Sequence, residues 1–149
     1  MTADNLTKTV QNIIKNNVYL TLATTDEEGP WAAPLFYCVD PQYNFYLISS
    51  PSSRHAKALL KNPQTAWAIF NSQAKEGQGN GLQIEGKAYL VNDTELDEAL
   101  KYYSTTFIPC NKEYFLGYNH YKLFKLVPQK FFIGDPEVKV DTRVEVKLI

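Results

Sequence analysis

The densest run of reactive side chains in this sequence is Ser49-Ser50-Pro51-Ser52-Ser53-Arg54-His55-Ala56-Lys57. Its serine-rich half reads as a loop. Arg54 to Lys61 reads as a short helix with Ala56, Leu59 and Leu60 on one side, stopped by Asn62-Pro63. A helix start presents N–H groups with no partner inside the helix and a partial positive charge of roughly half an elementary charge. Serine hydroxyls add donors, and an arginine fork can hold two oxygens at once. Together these are the parts of a phosphate cradle. The same residues also make an ordinary serine N-cap with exposed basic side chains, and the residues alone leave both readings open.

Other stretches carry weaker chemistry. Ala32-Ala33-Pro34-Leu35 would let a flat ring lie close to backbone, or would form a barrel wall packed on a helix. The aromatic stretch from Phe107 to Tyr121 could roof a pocket, cover a partner subunit, or bury itself against its own domain. Adjacent carboxylates at Asp26-Glu27-Glu28 are expected to be solvated on a turn. Cys38 and Cys110 form no C-x-x-C, and neither His55 nor His120 has metal-ligand spacing, so no zinc or iron–sulfur site is expected. There is no G-x-S-x-G, and His120 is expected within a strand, which leaves no serine-hydrolase pattern. Gly77, Gly79 and Gly81 fit a hairpin loop, not a nucleotide loop.

These residues need elements to hold them. Leu6, Val10, Ile13 and Ile14 make one apolar stripe, so Asp4 to Asn16 reads as a helix capped by Asp4 or Thr2. β-Branched and aromatic runs predict strands at Val18–Thr24, Trp31–Val39, Phe45–Ser49, Thr65–Phe70 and Leu82–Val91. Pro34 removes a ladder donor and suggests an edge, a bulge or an irregular stretch beside a ligand. Asn92 with Glu95 resembles a capping box ahead of a helix from about Asp93 to Tyr103. Residues 105–118 read as irregular. Tyr121–Val127 is predicted as a strand that Pro128 interrupts, with Phe131–Ile133 on a neighbouring line. Valines and Leu148 alternate with charged residues over 138–148, predicting a half-buried strand. About seven strands with three short helices, in an order that is not βαβαβ, predict a mainly β architecture: a mostly antiparallel barrel with short flanking helices.

The chain has 149 residues, which suits a single domain over 1–149. At 44% hydrophobic and 21% charged, it is neither disordered nor low-complexity. Fifteen basic residues against sixteen acidic give a net charge of −1, so no nucleic-acid partner is expected. No apolar run is long enough for a bilayer, and no secretory start is recognised, so a cytoplasmic location without membrane contact is expected. A reducing cytoplasm argues against a Cys38–Cys110 disulfide.

Read in order, five segments form a pattern: Leu22-Ala23-Thr24-Thr25-Asp26; Ala33-Pro34-Leu35-Phe36-Tyr37; Phe45-Tyr46-Leu47-Ile48-Ser49; Ser53-Arg54-His55-Ala56-Lys57-Ala58-Leu59-Leu60-Lys61-Asn62-Pro63; and Gln83-Ile84-Glu85-Gly86-Lys87-Ala88. This order resembles the pyridoxamine 5′-phosphate oxidase-like, FMN-binding split β-barrel family, and within it an uncharacterised bacterial subgroup that carries Arg-His-Ala at the same place. The resemblance spans residues 6–134. It implies a split barrel of six or seven strands, a homodimer, and FMN sites at the dimer interface. It places the phosphate at Ser53-Arg54-His55, where the oxidase has Ser-Arg-Lys. It places further contacts at Ile48 and Ser49, with Ser50 in the same loop, and along Ala33 to Cys38.

Three places depart from the oxidase: Ala33 and Cys38 stand for arginine and lysine, and His55 stands for lysine. His55 is mostly neutral at pH 7 by its reference pKa of about 6.5. The oxidase's C-terminal tryptophan and arginine have no counterpart, since Trp31 and Trp67 lie early. Oxidation of pyridoxamine phosphate itself is therefore not expected. The resemblance points to an FMN-dependent oxidoreductase or flavin reductase. Ser49, Ser53 and Arg54 would anchor the phosphate, His55 would assist when protonated, and Ala33, Pro34 and Leu35 would face the isoalloxazine. The residues name no substrate and no catalytic acid or base. The alternative is a non-catalytic module for another planar ligand, haem or a deazaflavin, or an apo scaffold.

Overall fold

Thr2 starts the first helix, α1 (Ala3–Asn16), by accepting the Asn5 amide on its hydroxyl at 3.3 Å. Asp4 in the first turn and Lys15 in the last suit the helix dipole, and Val10 and Ile14 are buried. The computed structural model describes residues 2–117, 120–138 and 140–148. After α1 the chain runs β1 (Tyr19–Asp26), β2 (Gly29–Phe36), β3 (Cys38–Val39), β4 (Phe45–Ser49), α2 (Arg54–Lys61), β5 (Gln64–Ile69) and β6 (Leu82–Leu90). It ends α3 (Leu96–Ala99), α4 (Lys112–Leu116), β7 (Lys122–Gly134) and β8 (Arg143–Val146). The β1–β2 turn closes on Gly29 at φ +110°, a conformation that L side chains resist.

Every strand pair is antiparallel, in the order β2-β1-β5-β6-β7-β4-β3, with β8 added on β7. The two ends of that path, β2 and β3, are separated in the chain only by Tyr37. The sheet therefore curls until its ends meet, and this is the mainly β split barrel expected from the sequence. Alternation sends Phe45 and Leu47 of β4 into one core with Leu20, Leu22, Trp67, Ile84 and Leu126. It sends Tyr46 to the opposite face, into a second cluster with Leu96, Ala99, Tyr103, Phe115 and Leu123.

Several sequence expectations are corrected. The strand foreseen as Trp31–Val39 breaks at Tyr37, where it changes partner from β1 to β4. The helix foreseen over Asp93–Tyr103 is regular only at Leu96–Ala99, while Asn92 still accepts the Glu95 amide at 3.1 Å. The irregular stretch 105–118 contains a short helix, α4, and its Tyr118 lies outside the described residues. His120 is exposed and precedes β7; it is not within a strand. Pro128 does not divide β7. Gly86 pairs with Pro128 and Glu85 with Lys130, so Gln129 is an extra residue and the missing proline donor sits at a bulge. Among the described residues of the 138–148 tail, only Arg143–Val146 form a strand, and it pairs with β7 of its own chain. Val144, Val146 and Leu148 pack on the core, Val138 and Val140 are exposed, and Lys139 lies outside the described residues.

Candidate functional site

β4 delivers Ser49, 4% exposed, to the mouth of the barrel, and the loop after it returns as α2. Ser53 caps α2 by accepting the Ala56 amide at 3.4 Å and donates to the Ser50 carbonyl at 2.7 Å. The Ser49 hydroxyl bonds His55 Nε2, and the Ser53 hydroxyl lies 3.2 Å from the Ser49 hydroxyl and 3.3 Å from His55 Nε2. Burial pushes the His55 imidazole below its ordinary pKa, so at pH 7 this cluster is uncharged. Ser50 and Ser52 share a separate, exposed contact at 2.7 Å.

Arg54 turns the other way, onto the β1–β2 turn. Its Nε donates to Asp26 Oδ2 at 2.9 Å, and Nη2 donates to Asp26 Oδ1 at 3.1 Å and to the Gly29 carbonyl at 3.4 Å. The guanidinium also lies over the Trp31 ring, 4.5 Å from its centroid. Hydrogen bonding from Arg54 holds the Asp26 carboxyl below the usual carboxylate range and raises the guanidinium in turn. Asp26 is thus not the solvated carboxylate expected of a turn: its side chain is 17% exposed, whereas those of Glu27 and Glu28 are 80% exposed. Lys61 reaches Glu27 at 3.3 Å, so α2 is tied to the hairpin near both ends. The open groove between them, about 490 Å³, is lined by Asp26, Glu27, Glu28, Arg54, Lys57 and Lys61 among others.

A larger cavity of about 660 Å³ lies on the outer side of the barrel, walled by Tyr19, Phe36, Ile48, Tyr103, Phe107 and Tyr121, with hydroxyls along 104–106. Tyr19 and Phe36 are register partners whose rings meet edge to face at 6.0 Å. Phe36 meets Tyr103 at 6.5 Å, and Phe107 meets Tyr121 at 5.6 Å. Burial raises the Tyr103 phenol, which therefore stays protonated at neutral pH. Among the described residues no cluster of three His, Cys, Asp or Glu side chains could hold a metal ion.

With this geometry in place, comparison with known proteins is informative. The profile described as Pyridoxamine 5′-phosphate oxidase matches residues 6–130. The chain belongs to the pyridoxamine 5′-phosphate oxidase family. Within reach by sequence is the UPF0306 protein PM1958 of Pasteurella multocida, 30% identical over 101 residues that make up 67% of this chain and 68% of that one. Similar solved structures include a heme binding protein from Mycobacterium smegmatis, with TM-score 0.72 and 21% identity. That match covers 97% of this chain but only 57% of the Mycobacterium chain. The heme storage protein HutZ of Vibrio cholerae is similar at TM-score 0.62 and 19% identity, covering 85% of this chain and 92% of HutZ. A general stress protein 26-related protein of Clostridium acetobutylicum is similar at TM-score 0.68 and 14% identity, covering 99% and 97%. At these identities the structural likenesses establish the fold. No helix among the described residues is long and apolar enough to cross a membrane.

In this family member, Ser49, Ser53 and His55 come together, with Ser50 held through its carbonyl. Arg54 leaves that group for Asp26. Ile48 faces the aromatic cavity, while Ser49, one residue on, lies on the other face of β4. Ala33 is buried and Leu35 packs on the core, whereas Pro34 points outward opposite Thr21. Among the described residues β2 pairs only with β1, so Pro34 does lie on an edge, and the strand leads directly to Phe36 at the cavity. Sequence reasoning missed Tyr19, Tyr103 and Asp26. Tyr19 had a usable signal, an aromatic residue on the outward-facing phase of β1. Asp26 had none, because its partner is 28 positions away.

Proposed function

We propose that this protein binds FMN and works as a flavin-dependent oxidoreductase, as a homodimer. The observation that carries this reading is the aromatic cavity. Its volume, about 660 Å³, falls among small-molecule sites of about 300–1,000 Å³. Its ring-lined walls fit a planar heteroaromatic ligand. Ile48 joins that cavity to the helix start, because the next residue, Ser49, belongs to the hydroxyl cluster. A phosphate arm passing the end of β4 would meet the hydroxyls of Ser49 and Ser53 and the leading N–H groups of α2, and Arg54 would reach it by turning from Asp26. Ala33, Pro34 and Leu35 would present the unpaired edge of β2 to the ring.

FMN, when bound, supplies the electron transfer itself. The chain's residues do the placing. Neutral His55 orients the two serine hydroxyls and adds positive charge only when protonated. Phe36 and Tyr103 would shield the ring from water on the barrel side, and Tyr103 keeps its proton. On the outer sheet face Ala32, Ala23 and Ala66 lie side by side, as do Pro34, Thr21 and Ala68. Exposed Tyr19 and Phe70, 62% and 55% accessible, border this surface of small side chains, which suits a second copy.

A second reading keeps the cavity and changes the ligand. With His55 neutral and Arg54 engaged by Asp26, Lys57 is the one cation in the first turn of α2 without an ion pair among the described residues. That favours haem, a deazaflavin or another planar group. Titration of FMN and riboflavin, followed by flavin fluorescence, tests both. Arg54→Ala should weaken FMN about tenfold or more and leave riboflavin within about twofold. Equal loss for both would make Arg54 purely structural. No quenching at high micromolar protein, together with a Soret band on adding haem, would replace the first reading with the second.

A further inference from the structure

We propose that Asp26 determines how strongly this site distinguishes a phosphate-bearing ligand from its phosphate-free form, by competing with the phosphate for Arg54. The inference rests on the reading that the start of α2 receives the FMN phosphate. A guanidinium has five N–H donors in a fixed fork. In Arg54 the Nε and Nη2 edge is taken by the two Asp26 oxygens, and the Gly29 carbonyl takes a further Nη2 contact. The remaining nitrogen, Nη1, faces the Glu28 carboxylate at 3.8 Å. Carboxylate and phosphate recognise the same edge of arginine with the same two-oxygen geometry. A phosphate can use that edge only after Asp26 leaves it, and it meets like charge if Asp26 stays.

Of the other charged groups around the groove, Lys57 would attract a phosphate, but it does so equally whether or not Asp26 holds Arg54. Lys61 is paired with Glu27, and Lys57 lines the groove beside them. His55, on the opposite side of the helix start, is neutral at pH 7. A ligand without a phosphate asks nothing of Arg54 and leaves the Asp26 contact intact. Asp26 therefore lowers affinity for FMN selectively and brings the affinities for FMN and riboflavin closer together.

The test is Asp26→Asn, which retains an acceptor for Arg54 but removes the charge. FMN affinity should rise about tenfold, with riboflavin changed by less than about twofold. Glu28→Gln, at a more distant and exposed carboxylate, should raise FMN affinity by less than about threefold. Equal gains in the two variants would mean a general charge effect and would overturn the role given to Asp26. In wild-type protein the Arg54 Nε–H resonance should move on adding FMN and stay in place with riboflavin, which keeps the proposal testable if Asp26→Asn folds poorly. If wild-type protein binds FMN but that resonance stays fixed, or Asp26→Asn binds no better, this inference alone fails. If neither wild-type protein nor Asp26→Asn binds FMN, the functional reading fails with it.

Discussion

His55 is a neutral base held against the hydroxyls of Ser49 and Ser53, and this has a consequence for stability. Burial depresses its folded-state pKa, while in the unfolded chain the imidazole takes a proton near pH 6.5. Between those two pKa values the unfolded state binds more protons. Stability is therefore full above about pH 6.5 and declines as pH falls toward the folded pKa. Urea midpoints should drop between pH 7 and pH 5.5, and His55→Gln should flatten that drop. Asp26 acts in a separate window: its carboxyl is depressed by Arg54, so its contribution is lost only below the ordinary carboxylate range of about 3.9. At this scale the sequence was readable in part. Ser49, Ser53 and His55 share one loop-to-helix junction, and their meeting follows from it. The Arg54–Asp26 contact depends on α2 docking against a hairpin, which no local pattern announces.

The elements divide in the same way. β4 and α2 carry strong local signals, an aliphatic run and a serine cap, and form over Phe45–Ser49 and Arg54–Lys61 as expected. Replacing Ser53 with alanine removes that cap and should destabilise the fold by about 1 kcal/mol, measured by urea denaturation. β7 was misread because a proline normally ends a paired strand, and here a bulge absorbs it. Opposite that bulge, a Cβ on Gly86 would lie 2.2 Å from the Val127 carbonyl oxygen and 2.8 Å from the Trp67 ring. Backbone cannot yield as a flexible side chain does, so Gly86→Ala should cost about 3 kcal/mol or more. A Gly86→Ala midpoint close to wild type would mean that the bulge relaxes freely. The helix expected to Tyr103 is regular only over Leu96–Ala99 and continues as turns, with the Tyr103 amide still bonding the Ala99 carbonyl at 3.1 Å, so Leu96, Ala99 and Tyr103 reach the second apolar cluster from one face, as helical spacing predicts.

For the whole molecule, the antiparallel barrel was legible from strand count and order, but its closure was not. Nothing in the alternation of residues 31–39 shows that the strand exchanges one neighbour for another at Tyr37. The proposed dimer is tested at the same scale. Ala23→Arg puts a long cation in the middle of the outer face and should give a monomeric mass by light scattering, with FMN affinity falling as the interface is lost. A wild-type monomer would remove the dimer from the proposal. Tyr37 carries a last implication. Its hydroxyl donates to the Ile14 carbonyl at 2.7 Å, and its amide donates to the Val18 carbonyl at 3.0 Å. The first helix thus latches the seam where the hydrogen-bonded ladder is interrupted. A ring fastened there should come undone there first, so amide hydrogen exchange in β3 should outpace that of β6 and quicken further in Tyr37→Phe.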